Sequence, residues 1–375
     1  MATMMIDYCD LTVPGIRELQ PYQPGKPIDE LQRELGLKEI IKLASNENPF
    51  GPSPKAIQAL QTELTDLARY PDGNGFVLKQ RLSEHLGVEQ NQITLGNGSN
   101  DILELVARVF INQGDEAIYS EHSFAVYPLA CQAVGANHFA VPAKDWGYDI
   151  DAIVQRVSDK TKVIFIANPN NPTGTWVNKA SLETLLNSVP KTTIVVIDEA
   201  YFEYATDPAM QAIGYPNSLE FVTAYPNVIV TRTFSKAYGL AGLRVGYSVS
   251  SAQIADLLNR VRQPFNVNSL ALAGAVAALD DSAHLTMSVE KNAQGMQQLM
   301  DAFEQMGLGY IPSIANFISF DLGKPAQTIY QALLERGVIV RPVANYGMPH
   351  HLRVTVGTEQ ENAFFLAALK DILSL

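Results

Sequence analysis

The chain has 375 residues, of which 47% are hydrophobic and 18% charged, so it is long enough for two or three packed units and too apolar to be disordered. Its formal net charge of −12 argues against a nucleic-acid partner, which would need a basic face. The two cysteines, Cys9 and Cys131, favour a reducing compartment, and the most apolar stretch, Ser269–Leu279, is too short to cross a bilayer. We therefore expect a cytoplasmic protein with no membrane partner.

The first 44 residues are expected to form an arm that also completes a small domain. Prolines at positions 14, 21, 24 and 27 interrupt this region before a short periodic stretch begins at Asp29.

Residues 45–268 are expected to form a large α/β domain, because short β-branched runs alternate with amphipathic stretches such as Asp101–Phe110 and Lys179–Ser188. This alternation requires crossovers and predicts a mostly parallel sheet with helices on both faces, which binds ligands at the carboxyl ends of its strands. The predicted strands are Gln92–Leu95, Glu116–Tyr119, His138–Val141, Val163–Ala167, Thr193–Asp198, Val228–Thr233 and Arg244–Val249.

Residues 269–375 are expected to form a smaller α+β domain. A long helical region, Leu270–Met306, precedes short strands near Phe317–Phe320, Val338–Arg341 and Leu352–Val356, and a final helix closes the chain.

A glycine turn, Gly96-Asn97-Gly98-Ser99-Asn100, follows the first predicted strand and leads into a helix. Backbone N–H groups at a helix start carry a partial positive charge and can cradle a phosphate. Because Asp101 stands where a dinucleotide-binding loop has its third glycine, the turn argues against a nicotinamide-dependent dehydrogenase.

Two strand ends carry polar side chains that need a partner. Asn171 lies in the turn NPNNPTG (168–174), where two prolines make the backbone rigid. Asp198 ends the apolar run Thr193–Asp198, and a buried carboxylate must be paired with something, either a protonated ring nitrogen or the start of a following helix. Tyr201 follows three residues later.

Lys236 leaves another strand end within SKAYGLAGLRVG (235–246). A lysine that forms a Schiff base must be close to neutral, which requires a partly desolvated setting with cationic neighbours. Ser235 and Arg244 could hold a dianionic phosphate beside it. A lone lysine at a strand–helix junction is usually structural, but this context favours the catalytic reading.

Together these four motifs resemble the fold-type I, aspartate-aminotransferase-like enzymes, which depend on pyridoxal 5'-phosphate, over essentially the whole chain. The resemblance implies that Lys236 binds the cofactor covalently, that Asp198 pairs with its ring nitrogen, and that Asn171 and Tyr201 bond its ring oxygen. It also implies that Phe124 stacks on the cofactor ring and that Arg353 binds the substrate's α-carboxylate. The residues implied to bind the cofactor phosphate are Ser99, Asn100, Ser235 and Arg244. Catalysis is then assigned to Lys236, Asp198 and Tyr201.

Three further segments, RELQPYQPGK (17–26), LASNENPFG (43–51) and ARYPDG (68–73), resemble the histidinol-phosphate aminotransferase family. This resemblance implies transamination between histidinol phosphate and 2-oxoglutarate in histidine biosynthesis, by a homodimer in which Tyr70 reaches the cofactor phosphate of the neighbouring subunit. The resemblance also places Tyr22 and Arg341 near the substrate. The imidazole ring needs an aromatic and polar lining, for which Tyr22, Tyr127 and Asn46 are candidates. If Arg353 does not hold the phosphate ester, Arg17 and Arg341 are the next candidates.

Aminotransferases of aromatic amino acids and threonine-phosphate decarboxylases share most of these motifs. A regulator that senses pyridoxal phosphate would need a DNA-binding segment, for which the 44 residues before the sheet domain leave no room. A hydrolase lacks its Gly-x-Ser-x-Gly elbow, and the six histidines show no HExxH spacing, so we expect no metal.

Overall fold

The structure is a computed structural model that describes residues 6–13, 15–206 and 213–374. Its strands, in chain order, are β1 (Ile41–Lys42), β2 (Ile93–Gly96), β3 (Glu116–Ser120), β4 (Asn137–Val141), β5 (Thr161–Ala167), β6 (Ile194–Asp198), β7 (Val228–Thr233), β8 (Gly246–Ser250), β9 (Gly309–Ile311), β10 (Phe317–Asp321), β11 (Val338–Ile339), β12 (Arg341–Pro342) and β13 (His351–Thr355). The α-helices are Ile28–Leu35, Pro54–Glu63, Phe76–Leu86, Ser99–Phe110, Val126–Ala133, Ile150–Arg156, Lys179–Ser188, Leu219–Ala224, Ala252–Val261, Ser269–Leu279, Ser282–Gln305, Gln327–Glu335 and Glu359–Leu373.

Seven strands form the large sheet, in the order β2-β8-β7-β6-β5-β3-β4. All neighbouring pairs are parallel except those of β8, which runs antiparallel to both β2 and β7. The predicted α/β class and mostly parallel sheet are confirmed. The strand predicted at Arg244–Val249 begins at Gly246 instead, because Arg244 has a left-handed backbone (φ 56°) that does not occur in an extended strand.

Both faces of this sheet are covered. Along β5, Ile164 and Ile166 belong to one buried cluster while Val163 and Phe165 belong to the opposite one, as the two-residue period of a strand requires. The helix Lys179–Ser188 packs on the first face and the helix Ser99–Phe110 on the second. Because both faces are buried, these strands are continuously apolar.

A smaller sheet, antiparallel in the order β12-β13-β10-β9, forms the second unit, with a core that includes Phe303, Phe320 and Phe365. The N-terminal region contacts this unit, since β1 pairs in parallel with β11 in a separate two-stranded sheet and Leu43 enters the same core.

The helix Ser269–Leu279 packs against the large sheet, because Ala271 and Ala275 lie in the core cluster on that sheet's first face. The domain boundary predicted at residue 268 places this helix in the small domain instead. The predicted single helical region is also divided, since one helix ends at Leu279 and the next begins at Ser282. Among the described residues, no helix is long and apolar enough to span a membrane.

The parallel strands bring the predicted motifs to one edge of the large sheet. Ala167 pairs with Asp198, which pairs with Thr231, so the turn at 168–174, the carboxylate and the lysine segment all leave the same carboxyl edge. The position of a site follows from this topology.

Candidate active site

A cavity of about 190 Å³ lies at this edge, between the large and small sheets. The candidate residues that line it are Tyr22, Asn46, Ser99, Asn100, Phe124, Asn171, Asp198, Tyr201, Ser235, Lys236, Arg244, Arg341 and Arg353. Three arginines and Lys236 thus face one carboxylate, in a chain whose net charge is −12. The cavity is therefore suited to anionic ligands.

Lys236 projects into the cavity from the turn after β7, and its Nζ donates a hydrogen bond to the carbonyl of Ser45 at 3.0 Å. Burial lowers the pKa of this amine to about 7; Arg353 and Arg244 act in the same direction, and Glu47 opposes them. The lysine turn also passes close to another loop: a Cβ at Gly239 (φ 70°) would lie 2.2 Å from the carbonyl oxygen of Gly51. Because its pKa is near 7, the Lys236 amine can be neutral and nucleophilic near physiological pH.

Asp198 is buried at the end of β6, with hydrogen bonds to both carboxylate oxygens. Thr231 Oγ1 donates to Oδ1 and the hydroxyl of Tyr127 donates to Oδ2, each at 2.9 Å. Burial raises the pKa of Asp198, while these two hydrogen bonds lower it. The short 3-10 helix that follows starts after Tyr201 without a side-chain cap, so Asp198 is not a helix cap. Its carboxylate retains capacity for a further donor inside the cavity.

The helix Ser99–Phe110 begins beside Arg244. Gly98 has a φ of 84°, and a Cβ there would lie 2.4 Å from Nη2 of Arg244, so only glycine allows the guanidinium to approach this helix start. Arg244 Nη1 also donates to Ser235 Oγ at 3.2 Å. The positive end of the helix dipole, the Arg244 guanidinium and the Ser235 hydroxyl therefore lie close together, and such an arrangement is suited to binding phosphate.

Arg353 is buried on β13, and its fork reaches across the cavity wall. Nη2 donates to the carbonyl of Ala44 at 2.8 Å and Nη1 donates to Asn171 Oδ1, whereas Nε has no hydrogen-bond partner among the described residues. Burial lowers the pKa of this guanidinium. A buried donor without a partner is costly and is readily satisfied by an anionic ligand.

Asn46, Tyr201 and Thr355 form a network on the cavity wall. Asn46 Nδ2 donates to the Tyr201 hydroxyl at 2.8 Å, and the backbone N–H of Asn46 donates to Thr355 Oγ1 at 2.9 Å. Nearby, Arg341 donates to the carbonyl of Gln23 at 2.8 Å, and its guanidinium lies 5.7 Å from the ring centroid of Tyr22.

Three candidates lie elsewhere in this chain. Tyr70 is 82% exposed, and its ring stacks on that of Phe265 with centroids 4.7 Å apart, beside a separate, apolar cavity. Arg17 is exposed and pairs with Asp7 and Asp10. Tyr127 does not line the cavity, because it is fully buried and stacked on Phe165 with its hydroxyl on Asp198.

Among the residues at or behind the cavity wall that the sequence did not predict, two have a clear role. Thr231 could have been found, since a parallel register places its side chain beside Asp198 in the neighbouring strand. Tyr346, which lines the cavity from the small-sheet side, is one of 15 tyrosines and carries no local signal. Among the residues that the structure describes, no group of His, Cys, Asp or Glu is arranged to hold a metal ion.

Comparison with known proteins identifies relatives along the whole chain. A family model described as aminotransferase class I and II matches residues 38–369. Histidinol-phosphate aminotransferase 2 of Pseudomonas fluorescens Pf-5 is 58% identical over 98% of this chain and 99% of its own, and its Pseudomonas aeruginosa counterpart is 56% identical over 99% and 100%. The crystal structure of histidinol-phosphate aminotransferase from Sinorhizobium meliloti in complex with pyridoxal-5'-phosphate is 30% identical, with a TM-score of 0.87 over 96% of this chain and 97% of that one.

Proposed function

The chain belongs to the class I and II aminotransferases, and on that premise we propose that it transfers an amino group between histidinol phosphate and 2-oxoglutarate in histidine biosynthesis, with pyridoxal 5'-phosphate as cofactor. The observation that carries this proposal is one cavity in which a buried, near-neutral lysine and a buried aspartate meet a phosphate-binding helix start. The names of relatives with 53–58% identity favour this substrate over aromatic amino acids or threonine phosphate.

The residues present fit this cofactor. Lys236 would bind its aldehyde carbon, Asp198 its ring nitrogen, and Asn171 and Tyr201 its ring oxygen. The phosphate would be held by Ser99, Asn100, Ser235 and Arg244, and Phe124 would cover the ring. Because Arg353 donates to Asn171 Oδ1, Asn171 Nδ2 stays available to donate a hydrogen bond to the ring oxygen.

When bound, the cofactor supplies an electron sink that makes the Cα proton of the amino donor acidic. Lys236 is the base in this scheme, because its near-neutral Nζ can accept that proton and release it again. Asp198 would place a negative charge beside the ring nitrogen and thereby keep that nitrogen protonated. Tyr201 acts through its hydroxyl, which Asn46 orients.

Arg353 selects and orients the substrate. Its guanidinium can bind the α-carboxylate of glutamate or the phosphate ester of histidinol phosphate, because each offers two oxygens to two parallel N–H donors. Holding either anion fixes the direction of the Cα–H bond, and that direction determines which bond breaks. Arg341 and Tyr22 provide a second cationic and aromatic contact on the same wall. Arg17 is a candidate ligand only if the N-terminal arm moves towards the cavity.

We further propose a homodimer that works in the cytoplasm. Tyr70 is highly exposed beside an apolar cavity lined by Leu272 and Val276, which a second copy of the chain would cover while receiving Tyr70 in its own site. Within each subunit we propose a division into an N-terminal segment (1–44), a large domain that extends through the helix Ser269–Leu279, and a small domain.

The test combines spectroscopy with substrate profiling. The purified protein should show a visible absorption band that borohydride bleaches, and it should transaminate histidinol phosphate with 2-oxoglutarate far faster than phenylalanine or tyrosine. Absence of the band would exclude the cofactor assignment. A preference for aromatic amino acids, or carbon dioxide release from threonine phosphate, would favour the alternative functions.

A further inference from the structure

Segment 122–125 links β3 to the helix Val126–Ala133 and carries Phe124 into the active-site cavity. Its first residue, His122, has a left-handed backbone with a φ of 56°. Such a conformation costs on the order of 1 kcal/mol for a non-glycine residue and persists only where surrounding contacts hold it. Asn170 Nδ2 donates a hydrogen bond to the His122 carbonyl at 3.0 Å, and the His122 ring is bonded from the small-sheet side of the molecule.

The main contact is a hydrogen bond between His122 Nδ1 and the carbonyl of Tyr346. Because a carbonyl only accepts, Nδ1 must carry the proton. Tyr346 ends the 3-10 turn Ala344–Tyr346, between β12 and β13 of the small sheet. The bond therefore connects the two units of the fold at the wall of the cavity.

The other end of Tyr346 meets the same segment. Ala125 packs against the apolar cluster that contains Tyr346. Burial raises the pKa of the Tyr346 phenol, and the backbone N–H of Ala125 lowers it. Tyr346 thus contacts segment 122–125 at His122 and at Ala125, with Phe124 between them. Phe124 also packs edge-on against Tyr127, with ring centroids 5.9 Å apart, and it lines the same cavity as Tyr346.

A tryptophan encloses this contact from outside. Trp146 lies 5.2 Å from the His122 ring and 4.9 Å from the ring of His351, the first residue of β13. It sits in the tight turn Lys144–Gly147 with a φ of 64°, which is unusual for a bulky residue. Gly347 also lies close to the ring: a Cβ there would be 3.2 Å from His122 Cε1, tighter than most such contacts, and its φ of 75° favours glycine.

We propose that His122 is a positioning residue that, through Tyr346, holds Phe124 against the cofactor ring and sets the distance between the two sheets at the active site. His122 and Trp146 do not line the cavity, so they act through Phe124 and Tyr346 rather than on the substrate. The inference rests on the proposed function, because Phe124 is assigned there to the cofactor ring.

The test compares His122→Ala with His122→Asn. Asparagine tolerates a left-handed backbone and carries an N–H donor the same number of bonds from Cα as Nδ1, so it should restore the hydrogen bond. For each loaded enzyme, the release rate of pyridoxal 5'-phosphate and the circular dichroism of its visible band are measured, with thermal melting as the folding control. A third readout is the emission of Trp146 in a Trp176→Phe background, which leaves Trp146 as the only tryptophan.

We expect His122→Ala to speed cofactor release by about tenfold, the upper range for one hydrogen bond, to reduce the dichroism of the visible band and to shift Trp146 emission. His122→Asn should return release to within about threefold of the parent. Parent-like release and dichroism in the alanine variant would overturn the proposal. So would an asparagine variant that melts like the parent but releases cofactor as fast as the alanine variant. If the parent itself binds no cofactor, the proposed function fails, and unchanged Trp146 emission in His122→Ala would then separately reject the contact.

Discussion

Replacement of Asp198 by asparagine tests the central electrostatic claim, because it removes one charge and almost no volume. The Tyr127 hydroxyl can turn and accept from the new amide, and Thr231 can still donate to its oxygen, so the local network survives. Burial raises the pKa of Asp198, which means that folding disfavours its ionised form. We therefore expect the cofactor-free variant to be at least as stable as the parent at neutral pH.

The expected loss is in catalysis. Two opposite charges about 4 Å apart at an effective dielectric constant of about 20 attract by about 4 kcal/mol. If most of that interaction keeps the ring nitrogen protonated in the transition state, proton abstraction from Cα should slow by about a thousandfold. The assay is a single turnover of the loaded enzyme with glutamate, followed in the visible spectrum, with and without deuterium at Cα.

Tyr127→Phe is the matched control, since it removes one hydrogen bond to Asp198 and leaves the charge and the ring stack on Phe165 in place. A neutral hydrogen bond contributes about 1 kcal/mol, so a loss of about fivefold is expected. If Asp198→Asn turned over within a few-fold of the parent, or if both variants were equally slow, the charge on Asp198 would not be what drives the reaction.

Three further predictions follow from the site. Lys236→Met should abolish the visible band. Because burial lowers the pKa of Lys236 from 10.5 to about 7, the unfolded chain binds more protons than the folded chain between these pH values, so the cofactor-free parent should gain stability relative to this variant as the pH rises from 7 towards 10.5. Denaturant titration measures this difference, and a difference that stays constant with pH would contradict the pKa shift. Arg353→Lys should weaken glutamate and histidinol phosphate by about 2–3 kcal/mol each in kcat/KM, since a point charge cannot replace a fork; a loss confined to glutamate would mean that the phosphate is bound elsewhere. Co-expression of Lys236→Ala chains with chains carrying an inactivating change at Tyr70 should recover about a quarter of the parent activity through mixed dimers, and no gain over the separate backgrounds would reject the shared site.

The sequence alone determined the large sheet and most of the site. Buried parallel strands are continuous β-branched runs, so Val228–Thr233 and its neighbours can be recognised locally. Because parallel strands end at one edge, motifs that each follow a strand must meet there, as Asn171, Asp198 and Lys236 do. The strand order and the antiparallel direction of β8 do not follow from such patterns, because both depend on which strand pairs with which.

Tertiary packing decided what the side chains do. Tyr127 was expected in the substrate pocket, but its helix turns the ring onto Phe165 and its hydroxyl beneath Asp198. The helix Ser269–Leu279 joins the large sheet because its alanines fit that core. The bond from His122 to Tyr346 joins residues 224 positions apart. Sequence periodicity specifies which face of an element is apolar, but contacts between elements depend on how whole helices and sheets pack, and that geometry is set only when the entire chain has folded.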